Sequence, residues 1–423
     1  MSAFFRFLTL SAAMFSAALL PAQGLGDFFG NFFGTPLETE QTAPGGAKFV
    51  YDVNFNYAFV NNEFDASDGL FVPSGTVAAA RVSPYAGLEI NRGVYGTHRL
   101  MAGIDVMKNF GENPTSFGAE NDPSLENKAL FREITLWYQY ARKFGKTGFM
   151  AAAGVFPRHL CGGKYTTAVF SDGVRFFDNN AEGLMLKWNR PRSNYEVILD
   201  WNGLYGTDRR EQFNILSYGE CYLTGRLYLG WQGMFHHYAN SVNAGGVVDD
   251  HLLNPFVAYD FTGTVPVEVL TLSAGAYLGY QRDRRISNSL KTPFGGSIVA
   301  DVRNWRVGLR NELYYGHDLM PFFNDTDNAG IMYGTNLYMR SGSWKVSTDG
   351  APGIYDNAEL YWKPVISEFV YIKISAIAHF QPGFVGWQQL LILNFDLEKI
   401  GKQPAPARKK GRQQERQPHN YYL

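Results

Sequence analysis

The feature that most restricts how this chain folds is a two-residue hydrophobic period that returns along most of its length. From Phe49 to Phe59 every odd position is apolar or aromatic (Phe49, Tyr51, Val53, Phe55, Tyr57, Phe59), while Asp52, Asn54 and Asn56 occupy even positions. Successive side chains of a strand point to opposite faces, so this pattern gives one dry face and one wet face. Leu100, Ala102, Ile104 and Val106 repeat it against Arg99, Gly103 and Asp105; Ile134, Leu136, Tyr138 and Tyr140 repeat it against Glu133, Thr135 and Gln139. Tyr195, Val197, Leu199 and Trp201 alternate with Glu196, Asp200 and Asn202, and similar stretches lie at 223–235, 270–280, 305–309, 358–362, 370–380 and 387–397. Beyond residue 24 no run approaches the ~18 apolar residues that a spanning helix needs. Strands therefore carry this fold.

Composition narrows the class. Aromatic residues make up 16% of the chain and charged residues only 18%, against about 25% in ordinary soluble domains. Lys and Arg number 38 against 39 Asp and Glu, a balance that excludes a strongly basic nucleic-acid binder. Collagen and disorder are excluded by the absence of a glycine period and by the abundance of aromatics. At the N-terminus, Arg6 precedes the mostly apolar stretch Phe7–Leu20, and Ala22 and Gly24 supply small residues at cleavage-site positions. This predicts a signal peptide over residues 1–24, the alternative being a single N-terminal membrane helix.

The ends of the alternating runs point to a membrane setting. Tyr51, Phe59, Tyr138, Tyr140, Trp201, Trp231, Tyr259, Phe261, Trp362, Phe380, Trp387 and Phe395 sit at or near run ends, with aliphatic residues between. In a bilayer these are interface girdles, whereas a soluble sandwich would concentrate large aromatics at its centre. Runs of about 9 to 14 residues, tilted near 40°, cross a hydrocarbon layer of about 25 Å. A bilayer leaves no backbone group unpaired, so the strands must close into a barrel. Short connectors (91–93, 142–146, 190–193, 262–264) alternate with long polar ones (61–75, 111–128, 157–179, 239–250, 282–293, 317–328). The expectation is an all-β, transmembrane, antiparallel up-and-down barrel over residues 48–398. Eighteen strands follow if the less regular segments Gln212–Ser217 and Trp344–Thr348 are counted, sixteen if both are not. A barrel of this size encloses water. The alternative is a large secreted β protein.

In length, N-terminal segment, loop asymmetry and girdles, the span from Lys48 to Glu398 resembles a Gram-negative outer-membrane porin. The resemblance is architectural. It implies localisation in the cell outer membrane, contact with its lipid, a water-filled channel for passive diffusion of small hydrophilic solutes or ions, and association into a homo-oligomer. Porin families often end on a terminal aromatic strand; here Phe395 lies in the expected last strand but about 25 residues follow it. Two other readings stay open, a substrate-specific channel for a sugar or anion and a structural outer-membrane anchor.

Alternation assigns Asp52, Arg81, Glu89, Arg99, Asp105, Glu196, Asp200, Arg226, Arg306, Arg310, Glu312 and Lys373 to the wall of the lumen. Arg306 and Arg310 are expected on one strand face as two rungs of a basic ladder. Inward aromatics (Tyr85, Trp137, Tyr228, Tyr314, Tyr361, Tyr371) either stack on sugar rings, similar to maltoporin-like channels, or pack against their neighbours. The segment 157–179 is long yet apolar in its second half, so it is expected either to fold into the barrel as a constriction, with Tyr165, Asp172, Arg175 and Asp178 near the eyelet, or to pack over the mouth or against a neighbouring subunit. Cys161 lies in this loop and Cys221 near a short turn at the other rim, too far apart for a disulfide. None of the eight histidines has metal-ligand spacing except His236 and His237, whose side chains oppose each other on a strand. No catalytic motif is present, so neither an enzyme, nor a metal, nor a cofactor is expected. Residues 25–47 read as a periplasmic lead. Residues 399–423 carry Lys399, Lys402, Arg408, Lys409, Lys410, Arg412 and Arg416 against Glu415, about +6, and read as a disordered basic tail that is solvated or contacts anionic peptidoglycan. The near-neutral chain is thus an acidic barrel beside a basic tail.

Overall fold

The computed structural model describes residues 45–64, 74–110, 131–170, 176, 178–207, 209–243, 245–284, 288, 290–323, 325, 344–347, 350–367, 370–381 and 383–396. The expectations for residues 1–24, for most of 25–47 and for 399–423 lie outside these. The alternating stretches form β1 (Ala47–Phe64), β2 (Gly75–Asn91), β3 (Thr97–Asn109), β4 (Phe131–Phe144), β5 (Thr147–Pro157), β6 (Asn180–Arg190), β7 (Ser193–Gly203), β8 (Gln212–Tyr222) and β9 (Leu227–Tyr238). They continue as β10 (Val248–Asp260), β11 (Val269–Asp283), β12 (Leu290–Lys291), β13 (Phe294–Asn304), β14 (Val307–Gly316), β15 (Gly353–Trp362), β16 (Val365–Ser367), β17 (Val370–Gln381) and β18 (Gly383–Asp396).

Every strand pairs antiparallel with its neighbour in the sequence, and β1 pairs with β18 to close the sheet. The fragments β12 and β16 are bypassed, because β11 bonds directly to β13 and β15 to β17. Eighteen less these two leaves sixteen strands around the wall. Closure removes the free edges that an open sheet would present. Gln212–Ser217 lies within β8, whereas Trp344–Ser347 forms no strand. The alternation of Trp344 and Val346 with Lys345 and Ser347 imitates a strand, but Trp344 is fully buried inside the barrel and owes its position to aromatic packing there.

Ala47 and Asp396 lie at the same rim, which also carries the short turns 92–96, 145–146, 191–192, 223–226 and 305–306. Trp305 and Arg306 form a two-residue hairpin turn with φ of 51° and 68°. Such left-handed values match the twist of the flanking strands. The opposite rim carries the long links, except that β17 and β18 are joined through residue 382 alone.

The register carries one parity around the whole sheet, so inside and outside are separated at every strand. Outward positions are apolar and exposed: Leu100, Ile104, Ile134, Leu136, Leu272, Ile298, Leu309, Leu313, Leu360 and Ile374. Exposed aromatics bound them on both sides, with Phe49, Tyr51, Phe144, Trp305 and Trp362 at the short-turn rim and Phe110, Tyr280, Phe294, Tyr315 and Phe384 at the other. A soluble monomer rarely exposes a contiguous apolar patch above a few hundred Å². A band that encircles the molecule between two aromatic rings is the surface of a membrane-spanning barrel. Inward positions are polar and buried, among them Asn54, Asn56, Arg81, Ser83, Asp105, Thr135, Glu196 and Asp200. No helix among the described residues is long and apolar enough to cross a membrane.

Candidate functional site: the lumen and its inward loop

Ten of the residues assigned to the lumen wall stand at inward-facing strand positions: Asp52, Arg81, Glu89, Arg99, Asp105, Glu196, Asp200, Arg310, Glu312 and Lys373. The other two differ. Arg226 lies in the turn between β8 and β9, and Arg306 in the turn between β13 and β14. The Arg306 guanidinium is 3.9 Å from Glu268, which Arg303 also approaches at 3.3 Å. The expected ladder of Arg306 and Arg310 on one face is therefore absent: strand parity stops where the backbone enters left-handed φ.

Inside the wall, charges pair locally. Arg81 Nη1 is 2.7 Å from Asp105 Oδ2, and Ser83 Oγ donates to Asp105 Oδ1 at 2.8 Å. Glu89 joins Lys48, at 2.6 Å, and Arg99. Beside this pair opens a cavity of about 280 Å³ lined by Glu89, Thr97, Arg99, Gln139 and Ala141. Lys373 pairs with Glu359, and Arg310 lies 4.0 Å from Glu312.

The segment after β5 turns into the barrel. After a single 3-10 turn at Arg158–Leu160, the amides of Gly162 and Gly163 donate to the two oxygens of Glu196 on β7, and Tyr165 Oη donates to Glu196 Oε1 at 3.2 Å. Thr166 N–H donates to Gln232 Oε1 of β9 at 2.6 Å, and Tyr277 of β11 donates to Thr166 Oγ1 at 3.2 Å. Phe176 lies on the other side, packed with Ala58, Ala79, Met107 and Ile392 of β1, β2, β3 and β18 and 5.8 Å below the Arg81 guanidinium. Asp178 returns to the start of the loop, where Arg158 binds both it and Asp200 of β7, the latter at 2.6 Å. The loop thus touches the wall on opposite sides of the lumen. Asp172 and Arg175 lie outside the described residues.

This course changes what several predicted residues do. Glu196 and Asp200, 2% and 1% exposed, are anchors for the loop and are not open to the channel water. Arg81 and Asp105 are sealed in the same way, each 1% exposed. Arg99 and Arg310 keep water contact, with side chains 35% and 25% exposed. Of the inward aromatics, Tyr85 packs edge-on against Trp137 at 5.2 Å and Tyr314 against Trp344 at 5.6 Å, the neighbour-packing course.

A second inward segment escaped the sequence reading. Leu319, Met320, Phe322 and Phe323 are buried, and Trp344 is enclosed by Tyr277, Tyr314 and Tyr355 while donating to Thr167 Oγ1 at 3.0 Å. Lys345 and Asp318 pair at 3.0 Å beneath it. The run Leu319-Met320-Pro321-Phe322-Phe323 carries the signal used for the first loop, apolar residues in a long connector. Cys161 and Cys221 are free thiols, and burial pushes the Cys161 thiol up.

The chain matches no known family profile, and no curated protein is detectably similar to it in sequence. Solved barrels resemble it in fold. A loop-deletion variant of OmpT, an outer membrane protein of Vibrio cholerae, aligns over 83% of this chain and 100% of its own with a TM-score of 0.47 and 8% identity. Pseudomonas putida OprB aligns over 82% and 94% with a TM-score of 0.45 and 10% identity. A mutant of the Rh. blastica porin aligns over 82% and 100% with a TM-score of 0.39 and 9% identity. By its own strand pairing the fold is a closed, sixteen-stranded antiparallel β-barrel with an apolar outer band.

Proposed function

We propose that this chain is a non-catalytic channel of the cell outer membrane that passes small hydrophilic solutes or ions by passive diffusion through a loop-narrowed lumen. The observation that carries this reading is the loop at 158–170, which leaves the wall at β5 and bonds across the interior to β7, β9 and β11. A diffusion channel needs hydrated charges along its path, and Arg99 and Arg310 keep water contact on the inner wall. The inward aromatics nearest the loop are packed against one another, so nothing in their arrangement favours a dedicated sugar track. In planar bilayers this reading expects stepwise ionic currents. Correctly folded, inserted protein that gives no current steps would rule it out.

The same recordings carry a pH signature. Lys363 follows β15 at the short-turn rim, its ammonium 4.7 Å from the ring of the inward Tyr361. Burial, and then repulsion from Lys373, lowers its pKa to about 8. Below that pH it is charged, and above it neutral, so raising the pH removes one positive charge from the mouth. Anion preference is expected to fall as pH rises through about 8, and Lys363→Met to flatten that step. An unchanged titration in the variant would show that Lys363 does not face the permeating ions.

A further inference from the structure

Along the short-turn rim the charges are unevenly shared. The turns and their flanks at 90–97, 140–149 and 188–194 carry Arg92, Arg142, Lys143, Lys146, Arg190 and Arg192 and no Asp or Glu. Among the described residues none of these six side chains has an ion-pair partner, and Arg142 Nε, shut off from solvent, has no hydrogen-bond acceptor. Elsewhere on this rim Arg303 and Arg306 share Glu268, and Lys48 holds Glu89.

Register places two of the unanswered cations at the foot of an apolar channel on the outer surface. Arg142 of β4, Phe149 of β5, Trp188 of β6 and Tyr195 of β7 form one outward cross-strand row. The Arg142 guanidinium lies 4.3 Å from the centre of the Phe144 ring, and the rings of Phe149 and Trp188 are 5.3 Å apart. Arg190 stands one outward position nearer the rim than Trp188. Two strand spacings of about 4.8 Å separate β4 from β6, a gap that two arginine side chains can span across Phe149. Away from the rim, the next outward residues of β5 are Ala151, between Tyr140 and Leu186, and Ala153, between Tyr138 and Leu184. Tyr138, Ala153 and Leu184 are exposed. Two methyl groups therefore floor a trough, walled by tyrosines on one side and leucines on the other, that opens at the arginines.

We propose that this trough and its cationic foot bind one anionic phospholipid of the leaflet at the short-turn rim, its phosphate between Arg142 and Arg190 and one acyl chain along Ala151 and Ala153. Guanidinium groups match phosphate oxygens in geometry as well as in charge, and cations at a membrane surface attract anionic lipid. A soluble anion would use the charges and leave the trough unfilled. A zwitterionic lipid would fill the trough but bring its own cation to the arginines. The site rests on the reading of the outward band as lipid-facing, and adds to it a headgroup of stated charge at a stated place.

The test inserts the full-length protein into vesicles of equal parts phosphatidylglycerol and phosphatidylcholine, releases it in mild detergent and identifies the retained lipid by native mass spectrometry. Wild type is expected to retain phosphatidylglycerol over phosphatidylcholine by about tenfold or more. Arg142→Gln together with Arg190→Gln should bring that ratio near one, whereas Arg306→Gln, in another sector of the rim, should leave it unchanged. Ala151→Leu keeps every charge but fills the trough, and should lower phosphatidylglycerol retention; undiminished retention there would overturn the part assigned to the trough. Equal retention of both lipids by the wild type, or a preference that survives loss of both arginines, in protein that inserts and conducts, would overturn the site while leaving the channel reading intact. Protein that never enters the bilayer would overturn the lipid-facing premise and the site with it.

Discussion

Deleting Tyr165–Phe177 is expected to raise single-channel conductance by at least about twofold, because a sixteen-stranded wall encloses an aqueous lumen and the loop is the proposed narrowing of it. The wall does not depend on the loop for closure: β1 and β18 pair over eleven registered positions, and β5 and β6 over ten. What the loop supplies is matter in the lumen. Its amides bind Glu196, its Thr166 meets β9 and β11, and its Phe176 reaches the cluster of β1, β2, β3 and β18. Removal takes the Thr166 amide from Gln232 and the Tyr165 hydroxyl from Glu196, while the Gly162 and Gly163 amides stay on that carboxylate. A deletion that folds, inserts and leaves conductance unchanged would place the narrowing elsewhere, with the segment around Trp344 as the next suspect.

Arg158→Ala is expected to destabilise the protein by about 3 kcal/mol or more, because removing one member of a buried ion pair strands the other. Arg158 and Asp200 have side chains only 7% and 1% exposed, and the guanidinium also lies 5.2 Å from the Phe170 ring. Asp178, with a side chain 47% exposed, can hydrate when its partner leaves; Asp200 cannot. The account therefore expects a double variant, Arg158→Met with Asp200→Leu, to recover most of the loss, since apolar groups of similar volume replace a buried pair at little cost. Urea unfolding in lipid vesicles of the wild type, Arg158→Met, Asp200→Leu and the double variant measures all four corners of this cycle. Equal loss in the single and double variants would mean that Arg158 acts through packing alone.

How far the sequence reached differs between wall and lumen. The wall is written in a local code, one residue in and one residue out, and register spreads that parity from strand to strand. Asp52, Arg81, Glu89 and Lys373 consequently face inward as their parity dictates. The code fails at turns, and so Arg226 and Arg306 fall at the rim. It also cannot tell a strand from an extended segment held by packing, which is why Trp344 passes for a wall residue. The loop's apolar content gives away that it must bury itself, but its direction is decided by partners far along the chain, Gln232, Tyr277 and Trp344, that no local pattern connects to Thr166 or Thr167. The role of Glu196 follows from that direction. A carboxylate on a lumen wall looks the same in sequence whether it faces water or the amides of Gly162 and Gly163.

The central claim is an open, size-limiting path through the barrel. Swelling of proteoliposomes in neutral sugars of increasing size tests it most directly: the account predicts swelling that is fast for the smallest sugars, falls steeply with solute size, and extends to larger sugars once Tyr165–Phe177 is removed. Swelling no faster than in protein-free liposomes at every solute size, with the protein folded and inserted, would contradict it.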